Sequence, residues 1–162
     1  MRLLRLLIVL TVQVTVLNQI HLFGYVTPLF LGYMLISCSK NTSRISLLLI
    51  GFFTGLLFDV FSNTAGMASA ACTLQAMVQP QLLRLLTSYE APEAFVPTIY
   101  TMGRWKYWVY AMLSMLTLHS AFYLLEAFTF YDWQLTLLSI LGSTFFASLL
   151  CLFAELLVRK QR

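Results

Sequence analysis

The sequence predicts an all-α membrane protein. It reads as a single six-helix transmembrane domain over residues 1–162, folded as three hairpins with both termini inside (N-in/C-in). Three observations predict it. The first is composition: 60% of residues are hydrophobic, 10% are charged, and mean hydropathy is +0.83. A soluble domain carries roughly 25% charged and about 45–50% apolar residues. Too few charges remain to clothe a globule, which excludes a water-soluble enzyme, a disordered chain and a nucleic-acid binder. The second is length. A crossing takes ~20 residues over ~30 Å of hydrocarbon, so six crossings leave about 42 of the 162 residues for loops and ends. The third is where the cations fall.

The net charge is +4, but the ten Lys and Arg are scattered singly and in pairs between apolar runs. They form four clusters: Arg2/Arg5, Lys40/Arg44, Arg84/Arg104/Lys106 and Arg159/Lys160/Arg162. The gaps, Leu6–Ser39, Ile45–Leu83 and Tyr107–Val158, hold 34, 39 and 52 residues. Each gap is long for one crossing and adequate for two. If each is a helical hairpin, all ten cations lie on one face, and the positive-inside rule makes that face cytoplasmic. Asp59, Glu126 and Asp132 then sit at far-side turns that carry no basic residue.

The first helix is placed at 3–18. Its basic start resembles a signal peptide, but residues 3–23 contain no Ala or Gly for a cleavage site, so it reads as a retained helix. The second is placed at 20–39, where Thr27-Pro28 looks like an N-cap followed by proline at the first helical position. A helix from Pro28 to Ser39 would rise only about 18 Å at ~1.5 Å per residue. The stretch Asn18–Thr27 must therefore supply part of the crossing, either kinked at Pro28 or irregular. Irregular backbone at membrane depth survives only inside protein or beside a water-filled cavity. This points to an outer-face cavity or partner surface near Asn18, His21 and His119.

The third helix is placed at 45–61 and the fourth at 66–86, joined by the polar tip Asp59–Gly66. Gln75 and Gln79 share a face of the fourth helix and should face protein, and Pro80 should kink it. A cytoplasmic loop, 87–104, follows. Its aromatics interleave with basic residues, which reads as a membrane-surface segment or a docking site for a cytosolic protein. The fifth helix is placed at 105–126 and the sixth at 133–158, with Tyr131 and Trp133 as interfacial anchors. Glu155 precedes Arg159 by four residues, a favourable pair at the inner boundary.

No spacing resembles a nucleophile with its base, a phosphate loop or paired catalytic carboxylates, so no catalytic residue, enzyme activity or cofactor is expected. Asp59, His21 and His119 lie in one outer layer, but no HxxxH or ExxH spacing supports a metal site. Asp59 and His119 read instead as helix-end caps or interhelical hydrogen-bond formers. Cys38, Cys72 and Cys151 lack CxxC spacing and read as small buried hydrophobes. Gly51-Phe-Phe-Thr-Gly55 is a GxxxG on the third helix, and Gly66-Met-Ala-Ser-Ala-Ala-Cys72 opens the fourth. Facing each other, these runs would let two backbones approach closely. The same small-residue pattern serves dimerisation or a partner helix.

The run Gly51-Phe-Phe-Thr-Gly55-Leu-Leu-Phe-Asp59-Val-Phe-Ser-Asn-Thr-Ala-Gly66-Met resembles the signature of the MreD family, bacterial rod shape-determining membrane proteins. That signature is a GxxxGLxxD run, a short polar turn, then Gly at the next helix start. The first hairpin, Leu17–Pro28, is similar to the form found in Bacteroidota members, so the resemblance covers residues 17–86. Beyond Thr87 it rests on length and helix count. It implies an inner-membrane, multi-pass, non-enzymatic protein of the cell-elongation machinery that helps maintain rod shape and organise lateral peptidoglycan synthesis. The implied partners are an MreC-like bitopic protein and membrane lipid, with MreB, RodA and its transpeptidase linked to the same complex. The implied fold resembles that of the substrate-binding subunits of energy-coupling-factor transporters. This supplies an alternative, a capture subunit for a vitamin-type small molecule. Such subunits dock through an AxxxA-type face on the first helix, which this chain lacks. By position Gly51, Gly55, Asp59 and Gly66 match the signature and are the residues expected to set helix packing or partner binding.

Overall fold

A computed structural model describes residues 29–87, 95–127 and 133–159, with Val158 and Arg159 described by their backbone alone. The expected first helix at 3–18, Asn18, His21 and Pro28 lie outside the described residues, as do residues 88–94, Tyr131 and Asp132. Among the described residues every regular element is helical. A 3-10 turn, Phe30–Gly32, runs into α1 (Tyr33–Ile36); α2 (Arg44–Ser62), α3 (Met67–Leu86), α4 (Ile99–Met102), α5 (Arg104–Glu126) and α6 (Trp133–Arg159) follow.

Local chemistry sets the helix ends. Ser43 caps α2, its hydroxyl accepting from the Ser46 N–H at 3.2 Å. Asn63 stops α2 in the left-handed region at φ 55°, a conformation that Asn tolerates better than most residues. α3 starts after Gly66 at φ 82°. It continues through Pro80 to Leu86, although proline gives the Ala76 carbonyl no donor. Gly103, at φ 81° and ψ 154°, separates α4 from α5 in a backbone region that only glycine occupies readily.

The long helices are inside-out relative to a soluble bundle. On α2 the buried face is Leu47, Gly51, Thr54, Gly55, Phe58 and Asp59, while Phe52, Phe53, Leu56, Leu57, Val60 and Phe61 are exposed. On α6 Ser139, Ser143, Thr144, Ser148 and Glu155 are buried, while Leu138, Leu141, Phe145, Phe153 and Leu157 are exposed. Small and polar groups inside with large apolar groups outside is the pattern of a chain solvated by lipid. Among the described residues three helices are long and apolar enough to cross a membrane: Arg44–Ser62, Arg104–Glu126 and Trp133–Leu157. α3 is as long as α2 but less apolar, because its protein-facing side carries Ser69, Gln75 and Gln79, all buried.

α2 packs on α3, α3 on α5, and α5 on α6. The segment around Phe30–Ile36 is wedged among them, the 3-10 turn touching all four long helices. The structure differs here from the expected helix at 20–39. Within the described residues that helix is only the 3-10 turn and α1, and it ends at Ile36. These seven residues rise only about 10 Å, so a crossing here draws on the residues before Leu29, which lie outside the described ones. Leu29, Leu31, Tyr33, Leu35 and Ile36 are all buried, so protein rather than lipid meets this short backbone.

The loop expected at 87–104 also differs. Pro97, Thr98, Ile99 and Met102 are buried rather than spread on a surface. Thr98 and Thr101 form a reciprocal capping box at the start of α4. The Phe95 carbonyl accepts from the Lys40 N–H at 2.8 Å and from the Ser39 hydroxyl at 3.2 Å. Of this stretch's large hydrophobic residues, Tyr100 and Trp105 stay well exposed among the described ones.

Candidate functional site

Asp59, on the last turn of α2, ties that helix to the start of α3. Its carboxylate accepts from the Thr64 hydroxyl at 2.6 Å, the Ala68 N–H at 3.0 Å and the Ser69 N–H at 2.9 Å. Its backbone carbonyl accepts from the N–H groups of Asn63 and Thr64. α3 needs this help because its N-cap is Gly66, which has no side chain to offer. Asp59 caps α3 from the neighbouring helix, with one oxygen on each of two orphan donors. Its negative charge also lies at the positive end of the α3 dipole. With 6% exposure, the carboxylate is a buried acceptor with its oxygens occupied.

Gly51 and Gly55 face α3. A methyl group added to Gly55 would stand 2.5 Å from the Ala68 carbonyl oxygen and closer still to Ser69 Cα. One added to Gly51 would stand 2.8 Å from the Cys72 carbonyl oxygen. Both contacts are with backbone, which cannot swing aside, so the two helices touch main chain to main chain. Gly66 has a different reason to be glycine. Space around it is open, with Ser69 Oγ 3.8 Å from an added methyl, and only its positive φ demands it. Gly51, Gly55, Asp59 and Gly66 thus form one mechanical unit, two close contacts, a carboxylate latch and a turn.

A second polar arrangement joins the remaining helices around the short buried segment. His119 is fully buried on α5. Its Nε2 accepts from the Leu29 N–H at 3.1 Å, and Nδ1 lies 2.8 Å from the Met115 carbonyl oxygen. A carbonyl only accepts, so the ring is neutral with its proton on Nδ1. The Gln75 amide donates to Ser114 Oγ at 2.9 Å and to the Gly32 carbonyl at 3.3 Å. Gln79 donates to the Tyr110 hydroxyl at 2.6 Å, and Tyr123 pairs with Ser143 at 2.9 Å. Tyr33 donates to Glu155 Oε2 at 3.1 Å. Gln75 Oε1, the Tyr107 hydroxyl and Thr144 Oγ1 are buried with no partner among the described residues.

These positions revise several expectations. Asp59 and His119 occupy separate arrangements, one closing the α2–α3 turn and the other holding Leu29. Among the described residues no three His, Cys, Asp or Glu gather as a metal site. His119 has both nitrogens engaged, so it offers no free donor or acceptor to an outer-face cavity. Glu155 is buried and bonded to Tyr33, 122 positions away in sequence, whereas the Arg159 side chain expected to pair with it lies outside the described residues. Sequence reasoning missed Tyr33, Ser114 and Tyr110. Nothing marks them in a row of apolar and aromatic residues, because each gains its role from a partner on another helix. Comparison with known protein families, curated proteins and solved structures finds no match.

Proposed function

We propose that this chain is a non-enzymatic scaffold of the bacterial cell-elongation machinery. In this reading it crosses the inner membrane six times with both termini inside, in a fold like that of energy-coupling-factor substrate-binding subunits. It docks the transmembrane helix of an MreC-like protein, and through that complex MreB, RodA and its transpeptidase. One observation carries the reading. The four residues that match the family signature are all used in holding α2 and α3 together. A signature devoted to hairpin geometry suits a protein whose task is to present a rigid surface. A capture subunit would aim such residues at a ligand.

The rigid hairpin displays Phe52, Phe53, Leu56, Leu57, Val60 and Phe61 on its outer side. Lipid tails are as apolar as these side chains, so a partner helix gains from packing and a few hydrogen bonds rather than from hydrophobic drive. A stiff, knobbed face supports such packing because little entropy is lost on docking. The test is co-expression of the full chain with the MreC-like protein of the same organism, followed by capture from mild detergent. A stable complex is expected. Failure to capture it, with a vitamin-type molecule retained through purification, would replace this reading with the small-molecule capture subunit. Alkaline phosphatase fused after Asn63 should be active and after Ser88 inactive. The reverse pattern would overturn the six-crossing topology.

A further inference from the structure

At the end of the α2–α3 hairpin opposite the Asp59 latch lies a cavity of about 180 Å³. That is roughly ten times the space one water needs. The loop after α1, the first turn of α2 and the last turns of α3 enclose it. Three cations line it: Lys40, Arg44 and Arg84. All three are exposed, and among the described residues that line the cavity none is acidic. Arg84 in the last turn of α3 has an ordinary use against the negative end of that helix. Arg44 has the opposite placement. It stands at the positive end of α2, where a cation is unfavourable, and within reach of two others around one hollow. Neither arginine makes an ion pair among the described residues. Like charges drawn together around one hollow attract an anion between them.

The rest of the lining narrows the ligand. Leu47 and Leu83 are 2% exposed and form an apolar wall. Gln79 is 3% exposed and also lines the cavity. Its amide nitrogen is held by the Tyr110 hydroxyl, and its carbonyl oxygen has no hydrogen-bond partner among the described residues. A cationic rim, an apolar wall and the carbonyl oxygen of Gln79 match a phosphodiester that carries carbon and a hydroxyl beside the phosphate.

We propose that this cavity binds a phosphate group, with Arg44, Arg84 and Lys40 on its oxygens and Gln79 accepting from an adjoining hydroxyl. The apolar wall and the position at the end of a lipid-solvated hairpin favour an anionic phospholipid headgroup over a free phosphate. The inference does not depend on the scaffold reading, since it rests on a different part of the molecule.

Purified full-length chain in a neutral maltoside detergent would be titrated with dihexanoyl-phosphatidylglycerol, dihexanoyl-phosphatidylcholine and inorganic phosphate, each followed by calorimetry. Saturable one-site binding of the phosphatidylglycerol is expected, with the phosphatidylcholine roughly tenfold weaker or worse. Saturation by inorganic phosphate at equal affinity would keep the phosphate site and assign it to a soluble ligand. R44Q/R84Q should weaken binding roughly a hundredfold, about tenfold per arginine, with helical circular dichroism unchanged. If that double variant does not accumulate, K40Q alone should still weaken binding several-fold. R104Q, which removes an exposed cation outside the cavity, should leave affinity unchanged. Absence of saturable binding by any ligand, or an equal loss in R104Q and R44Q/R84Q, would overturn the proposal.

Discussion

The two seams of this bundle are built on opposite plans. Between α2 and α3 the backbones touch through Gly51 and Gly55, and the Asp59 side chain reaches across at the turn. Between α3, α5, α6 and the buried segment at 29–36, contact runs through long side chains: Gln75, Gln79, Tyr110, His119, Tyr123 and Glu155. The first seam has no slack, because added volume meets main chain. The second has slack in shape but little in chemistry, because removing one partner strands another in a place water does not reach. In lipid, where burying apolar surface gives no drive, these are the two means of holding helices together, close packing and hydrogen bonds.

The largest expected effect breaks the first seam. Gly55→Leu should abolish accumulation in the membrane fraction, measured by immunoblot, since the side chain has to displace Ala68 and Ser69 backbone. Normal levels would mean that α2 and α3 do not meet main chain to main chain. Next comes the latch. Asp59→Ala strands the N–H groups of Ala68 and Ser69, each at about 1–3 kcal/mol. The thermal midpoint in detergent should fall by about 5 °C or more. Asp59→Asn keeps one acceptor and turns an NH2 toward the other N–H, so its drop should be smaller but clear.

The second seam predicts a contrast between two neighbours. His119→Leu leaves the Leu29 N–H unmet and should cost about 1–3 kcal/mol. Gln75→Leu removes an amide whose Oε1 is already unpartnered, so the loss of its bonds to Ser114 and Gly32 is largely offset. Its stability should stay within about 1 kcal/mol of the parent. Equal costs for the two would show that partner satisfaction is not what governs this seam. The smallest effect is at Gly66. Gly66→Ala has room for its methyl, and only the left-handed backbone resists it, at about 1 kcal/mol. A loss as large as that of Gly55→Leu would place a close contact where the structure shows open space.

Much of the α2–α3 hairpin was legible in the sequence, because its rules are local. A GxxxG, a carboxylate four residues after the second glycine and a glycine past the turn lie within sixteen positions, Gly51–Gly66. Small residues four apart share one helix face whatever surrounds them. The polar belt was only half legible. Gln75 and Gln79 could be placed facing protein, because lipid offers an amide no partner. Which partners they would find could not be read, since Ser114 and Tyr110 lie 39 and 31 positions away. The segment expected within a helix over 20–39 is, among the described residues, a 3-10 turn and a short helix ending at Ile36. Its apolar composition suits lipid and protein interior alike, and length was the only guide to which.

Composition and the spacing of apolar runs determined by themselves that this chain is helical and that lipid is its solvent. Those properties are sums over residues and do not depend on neighbours. Tertiary structure alone decided that His119 holds Leu29, that Glu155 answers Tyr33 and that three cations share one hollow. A hydrogen bond or a charge cluster is a relation between two places in space, and positions as far apart as 90 and 122 residues meet only once the helices have packed.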